Sequence, residues 1–210
     1  MISERRVPVG QLRSTAVDDS PSFERLLLVG TGALSVSFLP YWVGWVDEAL
    51  PNVSLKLALT RAATKFVSTH ALAALSGTEI VVDEWPVNPV EVAPHVALAR
   101  WADVVAVCPA TLDFVSRFAL GLADSPVLLA LQTTQATIGV SPALPPNALA
   151  NPMTVSHLQM LQTRPNVVVT PMESAISATT GEPSETGQAP LSDLIKLIEW
   201  ERQQANKWTS

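Results

Sequence analysis

The sequence predicts a doubly wound parallel β-sheet covered by helices on both faces, a three-layer α/β/α fold. Three observations predict it. Short, mostly apolar runs of strand length recur: RLLLVG at 25–30, VSLKLAL at 53–59, DVVAVCPA at 103–110 and NVVVTP at 166–171. Segments of helical length and spacing separate them. The runs do not alternate apolar with polar, which marks strands buried on both faces, as in parallel sheets.

Each element follows in order. Residues 1–23 are polar, with Pro8, Gly10 and Pro21, and are expected to form a mobile N-terminal arm. Residues 24–210 are expected to form a single domain, long enough to bury a core without staples. After RLLLVG, residues 32–50 have helical length and apolar spacing. VSLKLAL is the second strand, and residues 60–77 read as two short helices. TEIVVDEW at 78–85 is strand-like. Residues 86–102 begin as a proline-rich loop and end as a helix carrying His95. DVVAVCPA is a strand; residues 111–124 and 125–135 are helices. ATIGVSPALPP at 136–146 is a strand running into a proline-rich loop. Residues 151–164 form a helix, with Asn151 as its cap and Pro152 in its first turn. NVVVTP is the last strand. Residues 172–190, rich in small and turn residues, are expected to be a long loop. Leu191, Leu194, Ile195, Ile198 and Trp200 then fall at the spacing of a closing amphipathic helix.

Composition excludes several classes. No apolar run reaches the ~18 residues of a membrane span, because Gly, Ser and Pro interrupt the longest. The N-terminus lacks the apolar core of a secretory signal. A single cysteine, Cys108, cannot form an internal disulfide and fits a reducing cytoplasm. The net charge is −6 with no basic patch, so nucleic acid is not an expected partner. Cys/His clusters at metal-ligand spacing are absent. Hydrophobic residues make up 48% and charged residues 15%, a balance that fits buried faces between copies of the chain.

In doubly wound folds, ligands bind beyond the carboxyl ends of the strands. Here those ends are Gly30–Gly32, Thr60–Arg61, Pro109–Thr111, Pro142–Asn147 and Pro171–Met172. Gly30-Thr31-Gly32-Ala33-Leu34-Ser35 opens a helix. Its backbone N–H groups and hydroxyls suit a phosphate, or it is a plain tight turn. It has neither the third glycine of a G-x-G-x-x-G nor the lysine of a P-loop. Thr60 and Thr64 offer further hydroxyls. His95 supplies an imidazole, the side-chain type suited to handling a proton at neutral pH. Asp113 sits in a first helical turn, where the helix dipole favours a carboxylate by about 0.3–1 kcal/mol. Cys108, at the end of a buried strand, reads as a small hydrophobe. Asp103 reads as a local cap or partner, and His70 and His157 as structural.

Several of these fragments, in order, resemble the homo-oligomeric flavin-containing cysteine decarboxylases. The resemblance spans roughly residues 25–175 and is nearest to the lantibiotic peptidyl-cysteine branch. Its most specific part is His95, then Trp101-Ala102-Asp103, then Pro109-Ala110-Thr111-Leu112-Asp113 against P-A-[ST]-A-N-T. Gly121-Leu122-Ala123-Asp124 matches G-x-A-D, and Thr60, Ala63 and Phe66 match T-x-x-A-x-x-F.

The resemblance implies a Rossmann-like, flavodoxin-like fold and an FMN cofactor, with FAD the alternative. It implies flavin contacts at Gly30, Thr31, Gly32, Ala33, Ser35, Thr60, Phe66, Pro109, Ala110, Thr111, Asp113 and Thr133. His95 is the implied proton handler, and Asn147 and Met172 are the implied substrate contacts. The implied reaction is oxidative decarboxylation of the C-terminal cysteine of a ribosomally made precursor peptide. The implied assembly is a trimer or dodecamer with flavin between subunits.

Three departures qualify the match. Asp113 stands where the family has Asn, so an amide that donates and accepts has become a group that only accepts when ionised. Asp113 must therefore find a donor, or its pKa must rise. Pro145 stands where the family's carboxylate-binding Asn would fall. The segment 172–190, in the place of the family's substrate clamp, carries no cysteine. That absence argues against phosphopantothenoylcysteine decarboxylation, the nearest alternative. A non-catalytic flavin-binding regulatory subunit and a flavin prenyltransferase are the others.

Overall fold

The computed structural model describes residues 21–176 and 181–209. A six-stranded, all-parallel sheet forms its centre. The strands are β1 (Arg25–Gly30), β2 (Ser54–Leu59), β3 (Ile80–Val82), β4 (Val104–Thr111), β5 (Thr137–Ala143) and β6 (Val167–Val169), in the spatial order β3-β2-β1-β4-β5-β6. The chain winds outward in one direction from β1 and in the other from β4. The crevice between them is the topological switch point of a Rossmann-type sheet.

The strands are apolar throughout because both faces are covered. Leu26 and Leu28 of β1 point into one core, Leu27 and Val29 into the other. The first core is closed by α1 (Leu39–Ala49), α2 (Thr69–Ser76) and the long closing helix (Leu191–Thr209). The second is closed by α3 (Pro94–Trp101), α4 (Leu112–Ala119), α5 (Pro126–Thr133) and α6 (Pro152–Gln162). Numbered in order, the closing helix is α7. Its Leu194 and Ile198 are fully buried. Each such side chain stabilises the fold by about 1.5–3 kcal/mol. Gly139 in β5 makes this approach possible, since a Cβ there would lie 2.5 Å from Ile198 Cδ1.

Most expected elements are present. Asn151 caps α6 by accepting from the Met153 N–H, with Pro152 in the first turn. Three details differ. The segment after β1 does not open an α-helix: a 3-10 turn over Leu34–Phe38 intervenes, and α1 starts at Leu39, where Pro40 fixes the first turn. Thr60 likewise precedes a 3-10 turn, Ala63–Lys65, before α2. The expected loop 172–190 contains an antiparallel pair, β7 (Glu173–Ile176) and β8 (Pro183–Gly187), forming a sheet of its own. Its alternation is too short and too exposed to register as a periodic pattern.

Of the expected arm, residues 1–20 lie outside the described residues. Phe23 is buried in the core, and Ser22 bonds Glu199 and Arg202 of α7. The domain therefore begins before residue 24. No described helix is long and apolar enough to cross a membrane.

Candidate active site

The site is built where β1 and β4 end. Thr31, 1% exposed, joins the two strand ends. Its Oγ1 donates to the Pro109 carbonyl at 2.8 Å and accepts the Thr111 N–H at 2.8 Å, and its own N–H donates to the same carbonyl at 3.2 Å. The Cys108–Pro109 peptide bond is cis, within the β4–β5 register shift between Val107 and Ala110. Thr111 then turns from strand to helix: its Oγ1 accepts the Phe114 N–H and caps α4.

Beside this seam lies a cavity of about 470 Å³, within the usual range for a cofactor or small-molecule site. One wall is Gly32, Thr60, Arg61 and Ala62; the other is Thr111, Asp113, Phe114 and Arg117; Asp83 and Ser125 close the side. Gly32 has no room for a side chain, since a Cβ would lie 2.5 Å from Ala62 Cβ. That contact holds the ends of β1 and β2 close together. Thr60 Oγ1 accepts the Ala63 N–H.

Of the expected residues, Gly32, Thr60, Thr111 and Asp113 meet at this cavity. The others do not line it. Gly30 and Ala110 are buried in the strands, and the Thr31 hydroxyl is spent on the seam. Ala33 caps the 3-10 turn without a side-chain bond, and Pro109 supplies the carbonyl that Thr31 holds. Ser35 donates to Gln188 Oε1, and Gln188 Nε2 donates to Cys108 Sγ at 3.0 Å. Phe66 is exposed. Thr133 is exposed at the end of α5, its hydroxyl returned to the Leu129 carbonyl. Asn147 is exposed in a left-handed conformation, with φ 65°. Met172 is half-buried just before β7.

His95 also lies outside the cavity, in the first turn of α3. Its ring packs edge-on against Trp85, with centroids 5.7 Å apart. Its Nδ1 is buried without a hydrogen-bond partner.

Asp113 gains an ion-pair partner rather than a hydrogen-bond donor. Arg117, one turn along α4, places Nη1 3.6 Å from Asp113 Oδ2 and Nη2 2.6 Å from Asp124 Oδ1. Burial opposes the Arg117 charge, but the hydrogen bond it donates to Asp124 and the two carboxylates outweigh it and raise its pKa. The same hydrogen bond lowers the pKa of Asp124. Burial pushes the Cys108 thiol up to about 12, so it is neutral at physiological pH and no nucleophile. Asp103 pairs with Arg25 at 2.6 Å, and the hydrogen bond from Arg25 lowers its pKa.

Sequence reasoning missed Asp83 and Arg117, and named Arg61 only as a strand end. Asp83, at the end of β3, accepts the Ser125 hydroxyl and the Val127 N–H, both at 2.8 Å, at the start of α5. Burial raises its pKa, opposed by those two hydrogen bonds. The available signal was a carboxylate closing an apolar strand at the carboxyl edge of the sheet.

The residues fit a flavin. The cavity lies at the switch point, is large enough, and offers hydroxyl, guanidinium and carboxylate groups on facing walls. Comparison with known proteins agrees. Cypemycin cysteine dehydrogenase (decarboxylating) of Streptomyces sp is 33% identical over 159 residues, covering 75% of this chain and 81% of that protein. The coenzyme A biosynthesis bifunctional protein CoaBC of Mycobacterium tuberculosis (strain ATCC 25618 / H37Rv) is 34% identical over 139 residues, 66% of this chain. The match spans only 32% of that longer protein.

Among solved structures, the cypemycin decarboxylase CypD superposes with a TM-score of 0.71 at 28% identity, covering 89% of this chain and 98% of its own. The FMN-dependent cysteine decarboxylase TvaF from thioviridamide biosynthesis superposes with a TM-score of 0.63 at 28% identity, covering 70% and 89%. A family model described as Flavoprotein matches residues 14–202. With nearly its whole length matched, this chain belongs to the Flavoprotein family.

Proposed function

We propose that this chain is a flavin-dependent peptidyl-cysteine decarboxylase. It oxidatively decarboxylates the C-terminal cysteine of a ribosomally synthesised, lantibiotic-type precursor peptide to an aminoenethiol, for aminovinyl-cysteine formation. The likeness to the cypemycin enzyme over 75% of the chain carries this reading. The cofactor is FMN, in line with the description of TvaF; FAD is the alternative.

The turn from Gly30 to Ser35, with Thr60 and Phe66, would hold the phosphate end. Pro109, Ala110, Thr111, Asp113 and Thr133 would frame the ring. Bound flavin supplies a two-electron acceptor for hydride from the cysteine Cβ. The rest falls to the protein. It must bind the C-terminal carboxylate, exclude water and manage the thiol proton.

A cysteine thiol has a pKa near ~8.5 and needs a base that works near neutrality. His95 takes that proton. Loss of hydride from Cβ then leaves a thioaldehyde, into which the electron pair released with CO₂ delocalises, giving the enethiolate. Asn147 and Met172 contact the peptide, and the β7–β8 hairpin within 172–190 acts as its clamp.

His95 does not line the cavity of its own chain, and Phe38 and Tyr41 are exposed at the start of α1. Both observations support a homo-oligomer, a trimer or dodecamer, in which a neighbour completes the site. A cytoplasmic setting suits the lone cysteine.

The mass and absorbance of the released cofactor separate FMN from FAD. Synthetic peptides ending in cysteine should lose about 46 Da, the mass of CO₂ and two hydrogens, when incubated with the holoprotein. His95→Asn should keep flavin and lose product; retained turnover would remove His95 from this role. The CoaBC likeness makes phosphopantothenoylcysteine the second substrate to assay.

A further inference from the structure

The segment that leaves β3 makes three successive contacts. Asp83 binds the start of α5, Glu84 pairs with Arg61 at 3.2 Å, and Trp85 reaches His95. Trp85 is not a core residue, being 46% exposed. Its indole is nevertheless fixed. Nε1–H donates to the Asp124 carbonyl at 3.0 Å, and the Asp124 carboxylate is held by Arg117 on the cavity wall. Its ring meets the His95 imidazole at an interplanar angle of 69°, the edge-to-face arrangement that aromatic quadrupoles favour.

His95 needs such a support. The orientation of a working histidine is usually set by a hydrogen bond to its second nitrogen. Here Nδ1 is buried and makes none, and Ala93, the N-cap of α3, offers no side-chain cap. Among the described residues, the ring contact with Trp85 restrains the imidazole.

We propose that Trp85 is a positioning residue for His95, with Asp124 as the joint that ties this aromatic support to the cofactor cavity. The inference rests on His95 as proton handler. Trp85 does not line the cavity. It acts by holding the imidazole in one orientation, so its loss should slow turnover without weakening binding.

The test compares Trp85→Leu with Trp85→Phe in the full-length, FMN-loaded protein, assayed on the same synthetic peptides ending in cysteine. Leucine keeps apolar bulk without a ring; phenylalanine keeps the ring. A misplacement of about 1 Å at a reacting group can cost about a hundredfold in rate. Trp85→Leu should therefore lower kcat about ten- to a hundredfold, with KM, flavin content and Tm unchanged. Trp85→Phe, which keeps the ring but loses the bond to Asp124, should fall between the Leu variant and the parent.

Equal rates in the two variants would overturn the inference. So would a loss that falls in KM or flavin content, or a Leu variant that fails to fold, since Trp85 would then be a binding or structural residue. His95→Asn separates the two levels. If it remains active, the role of His95 itself fails. If it is dead while Trp85→Leu keeps full kcat, only the positioning role fails.

Discussion

Two regions flank the crevice at the carboxyl edge of the sheet, and they are held in opposite ways. The seam between β1 and β4 is buried and cross-bonded three times through Thr31. The β7–β8 hairpin shares no ladder with the main sheet, and every residue of β7 is exposed. It is tied down at its base, where Ser141 donates to the Ala189 carbonyl at 2.7 Å and Gln188 reaches Cys108. The difference matches two tasks. On the proposed roles, a cofactor wall must hold its geometry between turnovers, whereas a clamp that admits a peptide must yield.

The contrast breaks most sharply at Thr31. Thr31→Val keeps the shape but leaves the part-buried Thr111 N–H without its acceptor. An orphaned buried donor costs about 1–3 kcal/mol, and this half-buried one falls at the low end, so urea unfolding should show a loss of about 1 kcal/mol together with reduced flavin content. A loss below about 0.5 kcal/mol would mean that the ladder alone holds the seam.

Asp83 offers a smaller effect with a pH signature. Its folded pKa is raised by burial, so its contribution to stability is fully present below its ordinary value of 3.8. That contribution is lost as pH rises through the folded value. Asp83→Asn keeps an acceptor for Val127, and the Ser125 hydroxyl can turn to accept from the new amide. Urea titrations at pH 4 and pH 7 should find the variant gaining on the parent as pH rises. The opposite trend would mean that the charged carboxylate is what the α5 start requires.

The smallest effect on folding belongs to the hairpin. Ile176 is 67% exposed, so Ile176→Ser should change stability by no more than about 0.5 kcal/mol. If the hairpin clamps the peptide, kcat/KM for cysteine-ending peptides should still fall several-fold. Unchanged kcat/KM would detach it from substrate binding.

The fold was legible because burial on both strand faces leaves its mark in apolar runs such as RLLLVG and DVVAVCPA. Helix boundaries were legible where a cap and a proline coincide, as at Asn151-Pro152. The 3-10 turn after β1 was not, because Leu34–Phe38 has the same composition as the α-helix it precedes. At the site, strand ends pointed to Gly32, Thr60, Thr111 and Asp113. Arg117 pairs locally, with Asp113 and Asp124, and such an ion pair reads as helix support. Asp83 escaped because its partner is far along the chain, 42 residues away at Ser125. No local pattern encodes such a pairing. Trp85 stayed hidden for the same reason, since TEIVVDEW reads as one strand although β3 ends at Val82.

The independence of the hairpin has a consequence for how this scaffold can change. Lengthening a surface excursion costs little loop-closure entropy, and an antiparallel pair with its own ladder carries its backbone partners with it. Residues 173–187 can therefore be exchanged as a cassette between the fixed points at Thr170 and Gln188, without re-registering any strand of the central sheet. If the hairpin is the proposed peptide clamp, selectivity can diversify on that cassette while the cavity and its seam stay the same.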